Sequence, residues 1–231
     1  MSFICLILSG VALLINGLAL LGRIPPRDSG TLNLLIGGLQ LILATLIAVT
    51  AAGDPAQLLS AAGVVLFGLT YTYVGLNSLF DLGSAGVGWF CALVAALAVV
   101  YAASNLAADP FSAVLWASWA VLWTLFFLLL ALGKSALTAY TGWATLLTSQ
   151  LTTTVPALLG LNGAWPSGWG SAAAAAVVIA LLFTTARFLA RRTGRAAVVL
   201  PSTEPARADK VRASADAELP KPAQKPAPAA V

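Results

Sequence analysis

The sequence predicts an all-α polytopic membrane protein with seven spans, and three observations lead there. Of its 231 residues, 60% are hydrophobic and only 9% charged, whereas soluble domains carry roughly a quarter charged residues. Mean hydropathy is +0.94. The apolar residues fall in runs of about twenty, the length that crosses a hydrocarbon core of ~30 Å. Short breaks separate the runs: "GRIPPRDSG", "AGDPAQ", "DLGSAG", "AADP", "LGKSA" and "NGAWPSGWG".

The first span, 3–22, has neither the positive n-region nor the small-residue cleavage site of a signal peptide, so it is expected to stay in the protein. The next four, 31–52, 59–80, 86–104 and 111–133, are bounded by the breaks. Proline occurs in four of the six breaks, where it removes no interior helix hydrogen bond. The sixth span, 137–161, carries Pro156 late in its length, which should kink or end the helix there. The seventh, 170–190, leads into a basic cluster of Arg187, Arg191, Arg192 and Arg195.

The charges test the count. With seven spans, Arg23, Arg27, Lys134 and the arginine cluster share one side, opposite Asp54 and Asp109. With six, the cluster would land on the wrong face. The positive-inside rule therefore places the N-terminus outside and the C-terminus in the cytoplasm. From 196 to 231 the chain is rich in Ala, Pro and mixed charge, which predicts a disordered cytoplasmic tail. Spans one, three and five begin near residues 3, 59 and 111, each joined by a short cytoplasmic loop to its successor. That spacing suggests three helical hairpins, the first two with an asparagine late in the leading helix, Asn16 and Asn77.

What the spans lack excludes several functions. None of the first six has an interior Asp, Glu, Lys, Arg or His, and Arg187 can snorkel from the last turn of the seventh. Ion- and proton-coupled transport ordinarily keeps an ionisable group at depth. A retinal protein needs a lysine in a span. An enzyme needs an activated nucleophile or a metal cluster, and neither catalytic nor metal-ligating groups, nor any cofactor site, can be assembled here. Cys5 and Cys91 lie within apolar segments without ligand spacing and read as buried structural thiols. The net charge of +4 resides in loops and tail, so it reflects topology rather than nucleic-acid binding. Neutral polar residues remain at depth, among them Asn16, Asn33, Gln40, Tyr71, Asn77, Thr148 and Thr152. Each alone is explained by interhelical hydrogen bonding; together they would also suit passage of an uncharged polar solute.

The stretch "WASWAVLW" sets Trp116, Trp119 and Trp123 on one helix face. An interfacial belt does not explain them. At ~1.5 Å per residue Trp123 lies ~18 Å along its helix, at mid-membrane. Aromatic packing and pore lining both remain, and physical grounds alone favour packing slightly. Phe67 and Tyr71, at i and i+4 on the third span, offer a second aromatic face; Leu6, Leu13 and Asn16 share a face of the first.

These segments resemble the AmiS/UreI family of urea and short-chain amide channels. The resemblance runs through "LLINGL", "LNLLIGGL", "LFGLTYTYVGLN", "GWF", "LWASWAVLW" and "LGK", over about residues 3–163. It implies a six-helix channel core of three twisted hairpins (1–163), here extended by a transmembrane helix with a basic cytoplasmic end (164–195) and the tail (196–231). It further implies a homohexameric ring in the inner membrane, each protomer with its own pore for urea or short amides. Leu6, Leu13, Asn16, Phe67, Tyr71, Trp116, Trp119 and Trp123 would line that pore. Three departures stand out. The outer loops lack the histidines that open the urea-channel branch in acid, so acid gating is not expected. Thr148 stands where the family usually has a glutamate, leaving it as a possible polar contact. The seventh span exceeds the six-helix core. The expected function is passive passage of amides or urea to a cytoplasmic amidase or urease; the alternative is a non-transporting scaffold or sensor whose tail binds a partner.

Overall fold

Two helices begin on an aspartate cap, and several end at or just before a residue with positive φ. In the computed structural model, residues 3–199 are described, with side chains over 3–193. The helices are α1 (Phe3–Leu20), α2 (Pro26–Thr50), α3 (Pro55–Phe80), α4 (Ala85–Asn105), α5 (Pro110–Leu130), α6 (Thr138–Thr148), α7 (Val155–Leu161) and α8 (Gly168–Val199). Six of them, α1 to α5 and α8, are each long and apolar enough to cross a membrane. Between α6 and α7 the helical path continues through a π turn at Ser149–Thr154, so Thr138–Leu161 forms the remaining crossing.

Three helices start earlier than the apolar runs suggest, on Pro26, Pro55 and Pro110. Proline fits the first turn because its missing N–H would find no partner there anyway. In the two Asp-Pro breaks the aspartate is the cap: Asp54 accepts from Ala56 N at 2.9 Å and Asp109 from Ser112 N at 3.0 Å. Pro156 acts on the preceding turn. It cannot donate to the ladder, and in the π turn before it Thr153 Oγ1 and Thr154 Oγ1 both donate to Ser149 O, the latter at 2.8 Å. The helix does not end at Pro156; the irregularity is a π turn in the residues just before the proline.

The hairpins of the sequence are interlocked. The most extensive packing is α2 on α3, α4 on α5, and α1 on the α6–π turn–α7 crossing, whereas α1–α2, α3–α4 and α5–α6 touch less. Glycines permit the close pairs. A Cβ on Gly37 of α2 would lie 2.5 Å from Thr72 N and 2.8 Å from Gly68 O of α3; one on Gly17 of α1 would lie 2.8 Å from Leu146 N of α6. Polar side chains add ties between α1 and α2. Asn16 and Asn33 exchange two hydrogen bonds, at 2.9 and 2.6 Å, and Gln40 Nε2 donates to Cys5 O and Ser9 Oγ at 2.8 and 2.9 Å.

At the basic end of the bundle, which carries Arg23 and Lys134, Arg27 reaches Leu79 O at 3.5 Å and Ser84 Oγ donates to Leu130 O at 3.2 Å. These contacts join the three loops of that end. Helix α8 lies on the periphery: Ala172, Leu182 and Ala186 are buried against the bundle while Val177, Leu181 and Phe188 are exposed. It continues to Val199, beyond the span read from the sequence, since nothing from 191 to 199 breaks a helix except the tolerated Gly194. The chain divides into one unit at Met1–Gly194 and another at Arg195–Val231. Beyond Val199 the predicted tail lies outside the described residues.

Candidate functional site

The tryptophan face of α5 is seated against α3. Gly63 leaves the space: a Cβ there would meet the Trp116 indole at 3.0 Å. One turn further along α3, Phe67 fills the centre of the bundle. Its ring centroid lies 5.5 Å from Trp116, 5.3 Å from Trp119 and 5.0 Å from Trp123, stacked on the first and last and edge-on to the middle one. Trp116 also meets Trp119 edge-on at 4.9 Å and stacks on Tyr101 at 4.2 Å. Such contacts add ~0.5–1.5 kcal/mol each beyond simple burial. All three tryptophans, Phe67 and Tyr71 are buried.

This aromatic group separates two cavities that share no lining residue. The cavity toward the basic end, about 200 Å³, is lined by Leu13, Asn16, Tyr71, Asn77, Cys91 and Trp123 among others. The cavity toward the acidic end, which carries Asp54 and Asp109, is about 300 Å³ and is walled by Leu6, Phe3, Tyr101, Trp116, Trp119 and Trp165. The seven-residue steps from Leu6 to Leu13 and from Trp116 to Trp123 each advance ~10 Å along a helix, from one cavity to the other. Phe67 lines neither and stands between them.

Hydrogen bonding differs on the two sides of Phe67. Trp119 Nε1 donates to Thr152 Oγ1 at 3.0 Å, and Thr152 Oγ1 donates to Thr148 O at 2.9 Å. Trp123 Nε1 has no protein partner, nor does Asn77 Oδ1, although both atoms are buried. The Tyr71 hydroxyl faces Ser9 without a hydrogen bond of normal geometry. All three groups line the basic-end cavity. Buried polar atoms left unpaired by the protein are commonly satisfied by water or ligand. They form a neutral set: one donor, one acceptor, and one hydroxyl able to do either.

Of the residues singled out from the sequence, Leu13, Asn16, Tyr71 and Trp123 meet at one cavity and Leu6, Trp116 and Trp119 at the other. Thr148 is fully buried, lines neither cavity, and its Oγ1 has no partner. The contact from the sixth crossing to the tryptophans comes from Thr152, one turn later. Sequence reasoning overlooked Trp165, Phe3 and Tyr101. Trp165 lies in a break between spans, where no periodicity draws attention to it; its neighbour Pro166 was the only local signal.

The profile of the AmiS/UreI family of transporters matches residues 1–164. A transporter protein of Rhodococcus erythropolis, AmiS2, is 43% identical over 192 residues, covering 82% of this chain and 93% of that protein. An amidate substrates transporter protein of Mycolicibacterium smegmatis is 40% identical over 194 residues, covering 83% and 91%. Both alignments are longer than the family match, so they take in part of α8. The acid-activated urea channel of Helicobacter pylori is 26% identical over 180 residues, 65% of this chain and 92% of that one. Its crystal structure superposes with a TM-score of 0.66 at 25% identity, covering 72% of this chain and all of the channel. The chain belongs to the AmiS/UreI family of membrane transporters and is not an enzyme.

Proposed function

We propose that the protein is a passive channel for short-chain aliphatic amides or urea. The observation that carries this reading is the neutral set at the basic-end cavity, none of it in a protein hydrogen bond of normal geometry: Trp123 Nε1–H beside the Phe67 ring, the Tyr71 hydroxyl, and Asn77 Oδ1 further along α3. A carboxamide is the complement of that set. Its carbonyl accepts from the indole N–H while its planar face lies against the rings, and further along the cavity its NH2 donates to the phenol oxygen and then to Asn77 Oδ1, six residues or ~9 Å on along α3. An ion finds nothing there to replace its hydration, which costs far more than a neutral amide loses. The more similar relatives are named for amidate substrates and AmiS and the more distant one for urea, which favours amides.

On this reading residues 1–163 are the channel core, 164–195 an added transmembrane helix and 196–231 a tail. The protein sits in the inner membrane as a hexamer, N-terminus outside, and supplies a cytoplasmic amidase or urease. Stopped-flow swelling of proteoliposomes in acetamide, urea and glycerol tests it. Acetamide or urea should enter faster than into empty liposomes, and faster than glycerol relative to those controls. Permeability equal to empty liposomes for every solute would refute the channel and leave the scaffold or sensor.

A further inference from the structure

The segment between α7 and α8 sends one side chain back to the acidic-end cavity. Trp165 Nε1 donates to Asp109 Oδ2 at 3.0 Å. Its ring meets Phe3 of α1 at 5.3 Å and, edge-on, Phe111 of α5 at 5.2 Å. Asp109 is fixed in turn: Oδ1 accepts from Ser112 N at 3.0 Å and Oδ2 from Ser112 Oγ at 2.6 Å. The carboxylate therefore joins the start of the tryptophan helix to a loop that follows the sixth crossing. Both of its oxygens already accept hydrogen bonds.

The indole thus clamped forms part of the same wall as Trp116 and Trp119. That cavity reaches outward to Ala56 and Asn105, at the ends of α3 and α4, and inward to Leu6 and Trp119 beside Phe67. Held to Asp109 at the start of α5, Trp165 lines this cavity nearer the acidic end than Trp116 and Trp119 do. Trp165 lies one residue past the family match, which ends at 164, in the segment that leads into α8.

We infer that Trp165 is a specificity-determining residue: by narrowing the acidic-end cavity it limits how bulky an amide can reach the Phe67–tryptophan stack. Its hydrogen bond and two ring contacts hold that limit in place, since the indole cannot swing aside without giving up its bond to Asp109 and its packing on Phe3 and Phe111. Discrimination by bulk in an apolar pocket is worth a factor of about ten or more for each carbon group excluded, and a single wall supplies part of it.

The inference rests on the amide-channel reading, and the two can fail separately. The full-length protein, its Trp165→Phe and Trp165→Ala variants, and Trp165→Leu as a milder truncation, are reconstituted and assayed with acetamide, butyramide and benzamide. In Trp165→Ala the benzamide-to-acetamide permeability ratio should rise by roughly threefold or more, with butyramide intermediate. Trp165→Leu should rise less, and Trp165→Phe, which keeps a ring but loses the bond to Asp109, least. If the wild type passes acetamide but the ratio does not change in Trp165→Ala or, where that variant fails to assemble, in Trp165→Leu, Trp165 is only a clasp and the inference falls alone. If the wild type passes no amide above empty liposomes, both fall.

Discussion

Replacing Trp123 by phenylalanine removes one hydrogen-bond donor together with part of a buried ring. The ring that stacks on Phe67 at 5.0 Å persists in reduced form, and the deleted N–H has no protein partner. Folding should therefore lose only the packing of the smaller ring, a loss shared with the control below, because no buried acceptor is left unpaired. Trp119→Phe is the control that should behave oppositely: its N–H donates to Thr152 Oγ1 at 3.0 Å, and losing an interhelical hydrogen bond in a bilayer protein removes about 0.6–2 kcal/mol. For permeation the ranking reverses. If Trp123 Nε1 donates to the solute carbonyl at the narrowest point, its loss raises the barrier by about 0.5–1.5 kcal/mol. That slows acetamide about two- to tenfold. Paired measurements on purified protein, thermal unfolding in detergent and stopped-flow swelling after reconstitution, give both axes. Acetamide flux in Trp123→Phe equal to wild type, or unfolding at lower temperature than Trp119→Phe, would refute the assignment of Trp123 as the free donor.

Two further expectations follow from packing and charge. Gly37→Ala should destabilise the protein by about 1–3 kcal/mol, because its Cβ would meet the α3 backbone at Thr72 N and Gly68 O; Gly38→Ala, with nothing within 4 Å, should be neutral, and the yield of folded protein after detergent extraction separates them. Solute flux should stay level from pH 5 to 8, since the chain has no histidine. Asp54 does not alter this: its bonds from the Gln57 side chain and Ala56 N hold its carboxyl below the usual value, so its cap is intact above the ordinary aspartate range and is lost only as pH falls through that lowered value. A steep change in swelling rate near pH 6 would contradict this.

The spans were legible because crossing a bilayer demands length and apolarity, both of which can be counted along the chain. Their starts were not, since Asp-Pro reads as a break although Asp54 and Asp109 are caps and Pro55 and Pro110 first-turn residues. Pro156 announced a kink, but not the π turn ahead of it, in which the Thr153 and Thr154 hydroxyls donate to Ser149 O. The interlocking of the hairpins had a signal that periodic starts obscured: Gly10 and Gly17, Gly30 and Gly37, Gly68 and Gly75 each stand seven apart, two helical turns, so each pair lies on one face. At the site, helical spacing grouped Trp116, Trp119 and Trp123 but could not place Phe67 at the centre of all three, because that depends on how α3 meets α5. Nor could it reveal Trp165, whose position depends on a loop folding back to Asp109.

Packing and lining were alternatives for the tryptophans only while the helix was considered alone. Trp119 makes the distinction dissolve: it holds Thr152 of the sixth crossing, packs edge-on to Phe67, and still forms part of the acidic-end wall. On the channel reading this double use is what selectivity for a flat neutral solute requires. Ring contacts with Phe67 are each worth only ~0.5–1.5 kcal/mol beyond burial, so an amide that slips between them recovers much of that loss by stacking on the same faces. A charge gains no such return and must shed water worth many times more. The aromatic group can thus close the route to ions without a titrating gate, provided hydrogen bonds such as Trp119–Thr152 keep the rings from parting on their own.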